Sequence, residues 1–157
     1  MSLQSNIEFN FNFSLTSTKD SEMRLIYLAG PYTDKDEQVV QRRIDKYASV
    51  VAHFMNTSEN LYLFSPILQC FHVANQHNLP HDFAFWAQRD FFMIKKSAAM
   101  WVATFPGWQE SYGVSQELEY AESIQKEVLY LVEDTGPLYH NYILTDARPV
   151  HTSPLII

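Results

Sequence analysis

The stretch "FPGWQESYGVSQELEYAESIQKEVLYLVED", which begins at Phe105, brings Gly107, Ser111, Gly113 and Glu117 close together in a chain with only four glycines. Gly107 and Gly113 let backbone approach a ligand closely. Ser111 is placed to cap the helix that follows, and the unpaired N–H groups of that helix's first turn attract an anion such as phosphate. A helix starting near Tyr112 puts Glu117 about one turn in, within side-chain reach of whatever the loop holds. The field of the helix favours an ionised carboxylate there. A charged, pre-positioned carboxylate beside a bound ligand is a candidate nucleophile or base. The same residues also read as an ordinary serine cap followed by a solvated helical acid, like Glu119 and Glu122. Pattern alone leaves both readings open.

The elements that must position these residues follow from periodicity. "MRLIYLAGPYT" is a short apolar run closing in Gly30-Pro31, a buried strand that ends in a tight loop. Asp34 or Asp36 can cap a helix through about His53, because Val39, Val40, Ile44, Tyr47, Val50, Val51 and Phe54 fall near a 3.6 period. "LYLFSPI" is a second strand, followed by loop and short helix material. "FAFWAQRDFFMIKKS" reads as a helix, "AAMWVATFP" as a third strand, "YGVSQELEYAESIQ" as a helix and "EVLYLVED" as a fourth strand. A further strand around Tyr142 to Thr145 is possible. Strands alternating with helices imply a mostly parallel sheet covered on both faces. The expected fold is therefore α/β, a flavodoxin-like or Rossmann-like three-layer sandwich with a sheet of four to five strands.

Residues 1–22 read differently. Ile7, Phe9, Phe11, Phe13 and Leu15 alternate strictly with polar residues, which is a strand with one apolar face. It is expected to be an extension, either an edge strand on its own subunit or an arm that pairs with a neighbour. Residues 23–157 are expected to form one domain, since 157 residues suffice for one good core and not two.

Open parallel sheets bind ligands at the carboxyl ends of their strands. The ends here are Gly30-Pro31-Tyr32, Ser65-Pro66, the segment from Phe105 to Gly113, and Glu133-Asp134. His72, His77 and His81 lie near Cys70 and Asp82, but their spacing does not match a structural zinc pattern, so no metal is expected. They read as loop histidines at the mouth of a pocket, with His72 the best placed. Trp108, in the glycine loop, is the better candidate to stack on an aromatic ligand, and Trp86 reads more readily as packing. Arg42 or Arg43 could add charge to the pocket, although either is more often a solvated residue on a long helix.

The formal net charge of −7 disfavours binding to a phosphate backbone, so no nucleic-acid partner is expected. No apolar run is long enough to cross a bilayer, no signal-peptide pattern opens the chain, and a single cysteine cannot form an internal disulfide. The expected setting is cytoplasmic, with no membrane partner.

"YLAGPYT", then "SPI", then a tryptophan and "RD" in one helix, then "GWQESYGVSQELEYA" together resemble the nucleoside 2-deoxyribosyltransferase family and its nucleotide N-glycosidase relatives, over about Arg24 to Val132. The resemblance implies that Glu117 is a nucleophile that attacks the anomeric carbon of a (deoxy)ribosyl group and forms a glycosyl-enzyme ester. It implies that Asp90 helps protonate the departing base or orients the sugar, and that Tyr32 lies against the sugar or the nucleophile. Gly30, Pro31, Ser65, His72, Trp86, Trp108, Ser111 and Gly113 are the expected binding residues. In nucleotide-cleaving relatives a serine at the position of Ser111 binds a 5′-phosphate, which favours a nucleotide. Ala99 departs from the pattern, because relatives carry an aspartate there.

The expected activity is cleavage or transfer at the N-glycosidic bond of a nucleoside or nucleoside 5′-monophosphate, with no cofactor, by a homodimer or higher homo-oligomer. The alternatives are a non-catalytic nucleotide sensor of the same fold and a NAD glycohydrolase.

Overall fold

The computed structural model describes residues 22–134 and 141–150. In chain order the elements are β1 (Arg24–Ala29), α1 (Glu37–Thr57), β2 (Leu61–Phe64), α2 (Pro66–Gln76), α3 (Phe83–Lys96), β3 (Ala99–Ala103), α4 (Tyr112–Ser123), β4 (Val128–Asp134) and β5 (Asn141–Thr145). The expected strand over Ile7 to Leu15 lies outside the described residues, as does Gly136-Pro137.

Asp36, Ser65, Asp82 and Ser111 cap the helices, each side-chain oxygen accepting from a backbone N–H of the first turn. Pro66 stands in the first turn of α2, where its missing N–H costs nothing. Three bounds differ from expectation. The first helix continues past His53 to Thr57, α2 is a regular helix of 11 residues where loop and short helix were expected, and the second strand ends at Phe64 because Ser65 caps α2 and Pro66 and Ile67 open it.

The strands form one sheet in the order β2-β1-β3-β4-β5. Neighbours are parallel except for β5, which returns antiparallel along β4. This is the flavodoxin-like order, an α/β fold with a mostly parallel sheet flanked by helices, as expected from the sequence. The chain leaves β1 toward β2 and later re-enters on the other side at β3, so the strand order reverses between β1 and β3, and a crevice opens beyond their carboxyl ends.

Alternation along β1 divides the core. Ile26 and Leu28 join Tyr47, Val50 and Phe54 of α1 on one face, with Trp101 and Leu131. Tyr27 and Ala29 join Ile94 of α3 and Val114, Leu118 and Ala121 of α4 on the other, with Met100 and Val102. The Phe91 and Tyr120 rings stack at 4.3 Å between centroids and fix α3 against α4.

Gly30, just after β1, has a steric role. A Cβ there would run into the Tyr47 ring, 2.9 Å from Cε1 and Cζ. Tyr47 needs that place because its hydroxyl donates to the Pro31 carbonyl at 2.7 Å, which fixes the turn out of β1.

Candidate active site

A cavity of about 300 Å³ lies at this crevice, on the α3 and α4 side. The loop after β1 supplies Gly30, Tyr32 and Thr33; α2 supplies Pro66, Cys70 and Phe71; α3 and its approach supply His81, Asp82, Phe83, Trp86 and Asp90; α4 and its cap supply Ser111, Gly113 and Glu117. The volume is at the small end of the range for small-molecule sites.

Glu117 and Asp90 occupy apolar-face positions of their helices. Val114, Glu117, Leu118 and Ala121 are the buried residues of α4, a run at i, i+3, i+4 and i+7. Asp90 and Ile94 are the buried residues of α3, one turn apart. Glu117 is only 6% exposed and Asp90 8%. Burying carboxyl groups is costly unless they are hydrogen-bonded or protonated.

Tyr27, on β1 and wholly buried, meets that requirement. Its hydroxyl lies 2.6 Å from Glu117 Oε1 and also acts on Asp90. Burial pushes the Glu117 carboxyl up to about 8; the Tyr27 bond opposes the rise and the neighbouring Asp90 adds to it. Burial likewise raises Asp90 to about 6, against the Tyr27 bond and the Arg89 charge. The expectation that the helix field keeps Glu117 ionised therefore needs correcting. That field fades beyond the first turn, Glu117 is the sixth residue of α4, and desolvation outweighs what remains. Near neutral pH the two carboxyls together hold about one proton, and their titration belongs to the pair.

A family model described as a domain of unknown function, DUF1937, matches residues 24–133. The chain belongs to the DUF1937 family. No curated protein matches it significantly. A solved 2-deoxyribosyltransferase from the psychrotolerant bacterium Bacillus psychrosaccharolyticus is similar over 68% of this chain and 70% of that one, at 20% identity and a TM-score of 0.43.

Of the residues singled out in the sequence, the DUF1937 domain brings Gly30, Tyr32, Trp86, Asp90, Ser111, Gly113 and Glu117 together around the cavity. Four others do not line it. Trp108, expected to stack on a ligand, is 6% exposed and packs in the core against Tyr130, with the Arg148 guanidinium over its ring. The glycine loop turns it inward. Trp86 takes the cavity wall instead, held by its Nε1 donating to the Pro80 carbonyl at 2.8 Å. His72 is exposed on α2 against Phe71, because α2 is a full helix that turns position 72 away; His81 reaches the cavity in its place. Ser65 is buried as the α2 cap, and Pro31 is buried with its carbonyl taken by Tyr47.

Gly107 and Arg43 also have structural work. Gly107 has φ +92°, where a side chain would be strained, and a Cβ would lie 2.7 Å from Arg43 Nη2. The Arg43 guanidinium donates to the carbonyls of Tyr32, Thr33 and Pro106, tying the loop after β1 to the loop after β3. It faces Asp34 at 3.5 Å and lies away from the carboxyl-lined cavity.

Ala99 is the first residue of β3, paired with Ile26. Four residues of strand, about 13 Å, separate it from the carboxyl end where the cavity opens. A side chain there faces the core on the α1 side, so the missing aspartate removes nothing from the cavity.

Sequence reasoning missed Tyr27. The signal was a phenol inside a wholly buried strand, whose hydroxyl must find a polar partner. It also passed over Cys70 and Phe71. Burial raises the Cys70 thiol, which disfavours the thiolate and leaves it as a wall residue.

Proposed function

We propose that this protein cleaves or transfers at the N-glycosidic bond of a nucleoside, through a glycosyl ester on Glu117. The observation that carries this reading is the pair of buried carboxyls, Glu117 and Asp90, lining one cavity walled by Trp86, Phe71 and Phe83, with the Tyr27 hydroxyl donating to Glu117. The family resemblance in the sequence independently assigns the same two carboxyls to this chemistry.

Breaking an N-glycosidic bond requires an anion at the sugar carbon and a proton for the departing base. A pair that holds one proton supplies both. Once the shared proton, which rests on the further-raised Glu117, has moved to Asp90, a Glu117 oxygen attacks the anomeric carbon, the carbon–nitrogen bond breaks, and its electrons leave with the base. Asp90 gives its proton to the base nitrogen. Water or a second base then attacks the same carbon, the ester C–O bond breaks, Glu117 is again a carboxylate, and Asp90 takes back a proton. Tyr27 can pass the proton between the carboxyls by accepting from one and donating to the other.

Asp82, Asp90 and Glu117 line the cavity, and no lysine or arginine does among the described residues. Ser111 is at the rim with its oxygen already accepting from Val114 N at 3.4 Å. A phosphate dianion would meet acids without a cation, so the reading favours a free nucleoside over its 5′-monophosphate. The small cavity also disfavours a dinucleotide such as NAD.

The test is incubation with a panel of nucleosides and their monophosphates, followed by detection of free base. Trapping with a 2-fluoro-arabinosyl nucleoside and mass spectrometry should place the adduct on Glu117. Release that survives in Glu117→Ala would overturn the reading, and tight binding without release would mark a sensor.

A further inference from the structure

β2 is an edge of the sheet among the described residues, and the polarity of that edge can be read from one hydrogen bond. Arg24 N donates to the Asn60 carbonyl at 2.8 Å, and Arg24 pairs in parallel with Leu61. In a parallel ladder this makes Asn60, Tyr62 and Phe64 the residues whose backbone groups exchange with β1. The N–H and C=O groups of Leu61 and Leu63 therefore point outward, and no other described residue bonds them. An unpaired edge is a template for another strand. Beside it the Tyr62 side chain is 51% exposed on the α3 and α4 face, although Leu61 and Leu63 on the opposite face are covered by the α1 side of the core.

The chain carries a segment that fits this edge. Ile7, Phe9, Phe11, Phe13 and Leu15 alternate with Asn, Glu and Ser, the pattern of a strand with one side to bury. Thr16 to Glu22, seven polar residues, join it to Met23, next to the start of β1. At about 3.3 Å per residue that linker reaches about 23 Å. The outer edge of β2 lies two strand spacings from β1, about 10 Å, and the far edge beyond β5 lies four, about 19 Å. Antiparallel to β2 the segment ends beside the amino end of β1, so the linker has only the lateral step to cross, whereas a parallel course adds the length of the strand. We propose that residues 7–15 of this chain form a sixth strand on the outer edge of β2, in the same molecule, with their apolar row beside Tyr62. The short linker holds the segment near its own edge at an effective concentration in the millimolar range, which favours that edge over the edge of a second copy.

The experiment is amide hydrogen exchange on the full chain, followed residue by residue by NMR. Leu61 and Leu63 amides should exchange at least about 10-fold more slowly in the native protein than in Asn12→Pro, because with the apolar row beside Tyr62 it is the polar row whose backbone faces Leu61 and Leu63, and proline there removes a ladder donor. Tyr62 and Phe64, bonded to β1, should be equally protected in both and report that the sheet is intact. Asn12→Thr, which keeps strand propensity and the backbone N–H, should retain the protection. Equal exchange of Leu61 and Leu63 in all three proteins would overturn the proposal. So would protection that grows with protein concentration, which would place the segment on a second copy.

Discussion

The Tyr27 hydroxyl and Glu117 Oε1 meet at 2.6 Å in the buried centre of the molecule, although ninety residues separate them in the chain. β1 brings the phenol and α4 brings the carboxyl. Removing the hydroxyl while keeping the ring should therefore separate chemistry from packing. Tyr27→Phe should fold, lose about 1–3 kcal/mol in denaturant unfolding because a buried carboxyl loses its partner, and release base about 10²-fold more slowly. Unchanged turnover would show that the hydroxyl plays no part in proton exchange.

The proton shared by Glu117 and Asp90 sets the pH range of activity. The reaction needs one proton on the pair, so base release should follow a bell with limbs near 6 and 8, falling in acid as both carboxyls protonate and in alkali as the last proton leaves. A pH–rate profile of kcat/KM measures this. An activity that keeps rising through pH 9 would contradict the shared proton.

Stability should depend on pH in the direction set by the same shifts. Both carboxyls have folded-state values above their unfolded ones, so between about 4 and 8 the folded protein binds more protons and unfolding becomes easier as pH rises. The stabilisation from this pair is full below the unfolded carboxyl range and is lost as pH climbs through about 6 and then about 8. Glu117→Gln removes the larger shift. Its melting temperature should decline less over that interval than that of the native protein, as differential scanning calorimetry would show.

The two loop-proximal tryptophans should behave differently. Trp86→Ala opens the cavity wall and should weaken nucleoside binding, seen as a raised KM with the fold retained. Trp108→Ala leaves a hole beside Tyr130 and should cost about 3–5 kcal/mol of stability, seen as a lowered denaturation midpoint. The reverse pattern would return Trp108 to the ligand.

Gly30→Ala tests the turn out of β1. The added methyl meets the Tyr47 ring, so either Tyr47 gives up its bond to the Pro31 carbonyl or the loop bearing Tyr32 shifts. A melting temperature lowered by several degrees is expected, and the double variant with Tyr47→Leu should recover part of it.

The sequence by itself determined the layout. Alternating strand and helix periods gave the α/β sandwich, and serine and aspartate caps marked where helices begin. The position of Glu117 in the stripe of Val114, Leu118 and Ala121 could also be read in the sequence, because a 3.6 period fixes which side chains share a face. Its protonation could not, because burial depends on α3 and β1 covering that face. Nor could the exchange of roles between Trp108 and Trp86: one ring sits in the loop after β3 and the other near the start of α3, and only the left-handed turn at Gly107 and the course of α3 decide which one faces the cavity. Local spacing reports which residues share an element. The meeting of Tyr27, Asp90 and Glu117 required three elements to close on one another, and pairing over such distances leaves no periodic trace in the chain.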